Sequence, residues 1–184
     1  MRKDFGVKQW LMPEPVLIIG TFDKDGKANA MNAAWGGMYD YDKVVIALSK
    51  HRTTENLKVS RAFTLAFATK DTVAASDYVG IVSQNKVPDK IEKAGLTYSK
   101  SNKVNAPIFD QYPLVMECEV DNFDEEAGVL IGKIINLSVD EKYIKNGKID
   151  VKSMEFLAFD PINGKYRLVG EEVADAFKVG FNIK

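Results

Sequence analysis

Cysteine and histidine are nearly missing from this chain: Cys118 and His51 are single representatives among 184 residues. One cysteine cannot close an internal disulfide or form a C-x-x-C site. One histidine leaves no zinc site built on several His or Cys ligands. An excess of charge of either sign is also lacking. The 25 Lys and Arg against 26 Asp and Glu leave a net charge of −1, so no overall basic field exists to hold nucleic acid or an acidic lipid surface. No apolar run has the length of a membrane span. The opening "MRKDFGVKQWLMPEP" has charges but no long apolar signal core and no small-residue cleavage site. These absences predict a cytoplasmic protein of one domain, residues 1–184, with no nucleic-acid or membrane partner and enough length for one good core.

Several catalytic signatures are absent too. The chain has no G-x-x-x-x-G-K-[ST], G-x-G-x-x-G or G-x-S-x-G. "DKDGK" places only Asp23 and Asp25 before Gly26, too few acids for a calcium loop, and reads as a hairpin turn. His51 has no Ser or Cys partner in sequence to make a nucleophilic triad. Cys118 sits in the alternating "VMECEV" and reads as a small buried hydrophobe.

What is present is mostly strand. "VLIIGTF" and "ANAMNAAW" flank the turn as a hairpin, followed by "KVVIALS", "AFTLAFA", and the long pair "YPLVMECEVDNF" and "GVLIGKIINLSVD". "EKYIKNGKID" reads as a small hairpin and "EFLAFDP" as a last short strand. "TTENLKVS" predicts a short helix with a Thr cap, "DTVAASDYVGIVSQN" and "VPDKIEKAGL" two helical pieces, and "YRLVGEEVADAFKVGF" a closing helix. No regular strand–helix alternation occurs, which disfavours a doubly wound sheet. A mainly β fold, a closed or split antiparallel barrel with peripheral helices, fits better.

Two stretches point to a ligand. "KANAMNAAW" is a strand with little bulk and two amides. Asn29, Met31, Ala33 and Trp35 share one face, and Ala30, Asn32 and Ala34 the other. A flat heterocycle could lie against such a strand; taken alone, small residues at a tight barrel bend account for it better. "SKHRTTENL" sets Ser49, Lys50, Arg52, Thr53 and Thr54 at a helix start, where unpaired N–H groups and partial positive charge receive anions. Arg52 can fork onto a phosphate. Further on, Ser83 and Lys90 in "GIVSQNKVPDKIEKAGL" offer a hydroxyl and a second cation.

In their order and spacing these pieces, together with "PVLIIGT", "FTLAFATKD", "PLVMECEV" and "LIGKIINLSVDE", resemble the flavin reductase-like, FMN-binding split-barrel proteins, and among them the flavoredoxin group. The resemblance implies a six-stranded antiparallel Greek-key split barrel with FMN held non-covalently. It also implies a homodimer with cofactor sites near the interface. Electrons would come from NAD(P)H or a redox protein partner. By position, Asn29 and Trp35 are similar to the family's flavin-side residues, with the backbone of Met31, Asn32, Ala33 and Ala34 along the ring. Ser49, Arg52 and Thr54 resemble its phosphate and ribityl contacts, and Lys90 the lysine of its D-K-[FI] motif. The S-G that many relatives carry before that motif is replaced here by "SQNKVPDK". The resemblance names no catalytic side chain, and a flavin-binding module without catalysis would have the same pocket.

Overall fold

The structure, a computed structural model, describes residues 1–183. Its centre is one curled antiparallel sheet. The strands are β1 (Leu17–Phe22), β2 (Ala28–Ala33), β3 (Gly36–Asp40), β4 (Lys43–Ala47), β5 (Ala62–Phe67), β6 (Leu114–Asp124) and β7 (Val129–Val139). Their spatial order is β2-β1-β5-β6-β7-β4-β3. The two outermost strands are consecutive in the chain, so β2 and β3 are two halves of one bent run. The first half pairs with β1 (Ala30 opposite Gly20) and the second with β4 (Gly37 opposite Val45). Six strand runs thus curl into the split barrel that the sequence predicts.

The bend at Ala34 and Trp35 is held by Gly36 N donating to Ala34 O at 3.0 Å and Ala47 N donating to Trp35 O at 2.8 Å. The step from β4 to β5 passes over β7 and β6 and carries helix α1 (Arg52–Ser60). That leap is the Greek-key element of the topology.

Alternation along β1 divides the core. Leu17 and Ile19 enter the barrel with Ile46, Leu57, Phe63, Cys118 and Leu130. Ile18 turns outward to a second cluster with Ala28, Ala30, Val79, Phe109 and Tyr112, closed by α2 (Val73–Ile81). β1 is therefore buried on both faces, which is why it reads as a continuous apolar run. Gly132 on β7 has a packing reason: a Cβ there would stand 2.3 Å from Cζ of Phe63, a side chain with no exposed surface.

Two helical expectations need correction. The Thr cap of α1 lies inside the helix: Thr54 Oγ1 takes the His51 N–H at 3.0 Å and donates to His51 O at 2.8 Å, while His51 occupies the N-cap. The closing helix does not form. Lys165–Leu168 pairs instead with Leu157–Asp160, and among the described residues that follow the only helical turn is a 3-10 turn at Val179–Asn182. Val173 and Phe177 have helical spacing but are 96% and 97% exposed. A helix gains most of its stability from packing an apolar face, and this one has no surface to pack on. α3 (Lys90–Lys93) is short and is followed by Gly95 at φ +69°, the left-handed conformation that glycine adopts just past a helix end. Among the described residues no helix is long and apolar enough to cross a membrane.

Candidate functional site: a cationic cleft between two helix ends

A cavity of about 250 Å3 opens where the start of α1 faces the end of α2 across β2. Three pieces of chain build it. β2 supplies Asn29, Met31 and Asn32; the start of α1 supplies His51, Arg52 and Thr53; the end of α2 and its following loop supply Val79 to Gln84, with Lys90 from α3 behind them.

Buried amide–hydroxyl bonds seat α1 on the sheet. Asn29 Nδ2 donates to Thr53 Oγ1 at 2.8 Å, and Asn56 Nδ2 donates to Thr21 Oγ1 at 3.0 Å. With the helix so placed, the first intrahelical N–H bonds come from Thr54 and Glu55, both to His51 O. The N–H groups of Arg52 and Thr53 precede these and have no intrahelical acceptor. They stand at the positive end of the helix dipole, on the rim of the cleft.

Lys90 is the cation of the cleft. It is 3% exposed, and Nζ donates to Val79 O at 3.0 Å and Val82 O at 2.8 Å, which caps the C-terminal carbonyls of α2. No carboxylate pairs with it among the described residues. Burial lowers its pKa to about 8. Two of its three protons are committed, leaving one donor and an unbalanced charge. Arg52 is differently placed. Its guanidinium is already bonded to Asp23 at 3.2 Å and Glu55 at 3.4 Å. Burial alone would raise the Asp23 carboxyl; the N–H groups of Lys27 and Asp25 and the Arg52 guanidinium outweigh it and hold Asp23 below the ordinary carboxylate range.

Two buried acceptors at the cleft have no partner among the described residues. Asn29 Oδ1 is one. Gln84 Oε1 is the other, its Nε2 being used on Ala28 O at 2.8 Å. Buried polar atoms are rarely left without partners. A lone buried cation, free N–H groups at a helix start and two orphan acceptors together suit a ligand that carries an anionic group and several hydroxyls. A phosphorylated polyol such as the ribityl phosphate of FMN has that donor and acceptor set.

Of the residues singled out in the sequence, the fold gathers Asn29, Met31, Asn32, Arg52, Thr53, Ser83 and Lys90 around this cleft. Thr54 turns back to its own helix start, and Ser49 and Lys50 are exposed in the loop before it. Ala33, Ala34 and Trp35 continue toward the barrel bend. Trp35 is half exposed and lines a different hollow with Trp10 and Glu14. The thinness of β2 also has another cause than an open ring seat. The face carrying Ala30 and Asn32 is covered by α2, with Ala30 packed in the cluster of Val79 and Asn32 Nδ2 donating to Ser76 O at 3.2 Å.

Sequence reading missed Gln84, His51 and the end of α2. Gln84 adjoined Ser83 in "SQN", where the amide was the available signal. The α2 carbonyls gave none, because a backbone position has no letter. Cys118 is fully buried, with its thiol pushed up to about 12 by burial and by neighbouring Glu117, so it is unreactive packing.

Similarity to known proteins agrees with this fold. The structure is similar to the flavoredoxin of Desulfovibrio vulgaris (Miyazaki F), with a TM-score of 0.92 and 30% identity over 98% of this chain and 100% of that one. It is also similar to the flavoredoxin of Methanosarcina acetivorans, with a TM-score of 0.88 and 27% identity over 98% of each chain. Nitrilotriacetate monooxygenase component B of Bacillus cereus shares the fold, with a TM-score of 0.76 and 19% identity over 89% of this chain and 88% of that one. Residues 10–152 match the flavin reductase like domain, and the chain belongs to that family of flavin-related oxidoreductases.

Proposed function

We propose that this protein binds FMN non-covalently and passes electrons through it, from NAD(P)H or from a redox protein. The observation that carries the reading is Lys90, a buried ammonium without a carboxylate, set across a cleft from the free N–H groups of α1. That pair fits a phosphate, and the family membership supports a flavin as the phosphate's bearer.

The residues would divide the work. Lys90 and the N–H groups of Arg52 and Thr53 would hold the phosphate, with the Arg52 guanidinium beside them. Asn29 Oδ1 and Gln84 Oε1 would accept from the ribityl hydroxyls. The cleft is smaller than the roughly 300–1,000 Å3 of whole small-molecule sites, so the ring would extend from it past Met31 toward Trp35. FMN, when bound, supplies the hydride and electron chemistry. The protein need not supply a general base. Its own part would be to fix the tail and orient the ring. Assembly as a cytoplasmic homodimer completes the proposal.

An absorbance spectrum of freshly purified protein tests it, followed anaerobically by NADH, then NADPH, then dithionite. Visible flavin bands that bleach with one nucleotide are the result for a reductase and name its donor. Bands that bleach only with dithionite indicate a carrier fed by another protein. A colourless protein that cannot be reconstituted with FMN overturns the reading.

A further inference from the structure

A second cavity, of about 430 Å3, lies away from the cationic cleft and shares no lining residue with it. Its wall is almost wholly apolar: Phe67 from the end of β5, Leu114 and Met116 from β6, Leu137 from β7, and Phe156 and Leu157 from the later strand region. Its size is within the ordinary range for a small-molecule site.

One ionisable residue is among those lining the cavity, Glu14, which also borders the hollow of Trp10 and Trp35. Glu14 is 5% exposed, and its Oε2 is buried with no hydrogen-bond partner among the described residues. Burial raises its pKa, and the Trp35 indole N–H opposes that rise. A carboxyl in apolar surroundings is costly to leave unpartnered. It is not among the residues of the cleft proposed for the FMN phosphate and ribityl chain.

We propose that this cavity binds a small apolar molecule, one or two rings in size, that carries a single hydroxyl donated to Glu14. The one-donor requirement follows from the wall. An ammonium has three protons to satisfy, and no other side-chain acceptor lines the cavity. A hydroxyl has one, which Glu14 can take. A molecule with no donor would leave the Glu14 oxygen unpaired.

The test compares 4-propylphenol with 4-propyltoluene, which has the same outline without the hydroxyl. Methyl resonances of selectively labelled Met116, assigned through Met116→Leu, report occupancy in the full-length protein as purified. Saturable binding of both is expected, with the phenol preferred roughly tenfold or more, as for one hydrogen bond to an ionisable partner. Glu14→Leu should bring the two affinities together. Leu137→Trp, which fills the mouth from a half-exposed position, should abolish both. Equal affinities in the wild type, or a phenol preference that survives in Glu14→Leu, overturn the proposal. So does an absence of probe binding. A concentration-dependent dimer in sedimentation, lost in Leu137→Trp and accompanied by no probe binding, would assign the surface to a second copy instead.

Discussion

Gly80 and Asn32 occupy each other's space: a Cβ on Gly80 would stand 2.2 Å from Asn32 Oδ1. The last turn of α2 therefore rests directly on an amide of β2, which in turn donates to Ser76 O. Gly80→Ala should push Asn32 off that bond and lift the end of α2. The expected cost is about 1–3 kcal/mol, as for overpacking, read from urea unfolding. Gly80→Ala with Asn32→Ala should recover most of it, since the clash needs both side chains. An unaltered stability in the single variant would show that Asn32 moves aside freely.

Lys90 has two jobs, and its removal should show both. Lys90→Met keeps the apolar stem but strips Val79 O and Val82 O of their donor. FMN affinity is expected to fall by about 1.5–3 kcal/mol, roughly tenfold to over a hundredfold in Kd, by fluorescence titration. An unchanged Kd would place the phosphate elsewhere.

The pH dependence follows from the same lysine. Its folded pKa, about 8, is below the ordinary 10.5. Between these values the unfolded chain binds more protons than the folded one, so Lys90 makes the ligand-free protein more stable as pH rises through that window. Below about 8 the burial penalty is present in full. Phosphate prefers the charged ammonium, so FMN affinity should decline as pH rises past 8. In Lys90→Met that decline should vanish, and a decline that persists would assign it to another group.

Arg52 should matter less than its type suggests. Asp23 and Glu55 already neutralise it, and it is partly exposed. Arg52→Ala is expected to weaken FMN by no more than about tenfold, below the effect at Lys90. Asp23→Asn keeps the acceptor for Lys27 N and Asp25 N but removes the charge, so it should tighten FMN a few-fold. Isothermal titration at two salt concentrations would check both, and a weaker Asp23→Asn complex would contradict this account.

Trp35 offers a test of the ring's position. It is 52% exposed and lies outside the cleft, but its indole N–H serves the buried Glu14 carboxyl, so Trp35→Ala should cost about 1–3 kcal/mol of stability. If the ring extends toward the barrel bend, the same variant should still weaken FMN. Unaltered affinity would move the ring away from that bend.

The sequence by itself determined the strands of the barrel and pointed to the helix start at Arg52 as a candidate seat for an anion. Alternating apolar residues commit β5, β6 and β7 to a sheet, and "DKDGK" commits β1 and β2 to a hairpin, because these are short-range patterns of side-chain direction and turn chemistry. The helix start at Arg52 was legible for the same local reason. Tertiary structure alone decided that β2 and β3 are one bent run that closes the barrel, since closure depends on partners far apart in the chain. It decided that α2 covers Ala30 and Asn32, so that small residues there serve helix packing. It paired Arg52 with Asp23, 29 positions away, and left Lys90 without a carboxylate among the described residues. It withheld a helix from Val173 and Phe177 by giving them nothing to pack against. Charge neutralisation and burial are sums over neighbours in space, and a sequence orders neighbours only along the chain.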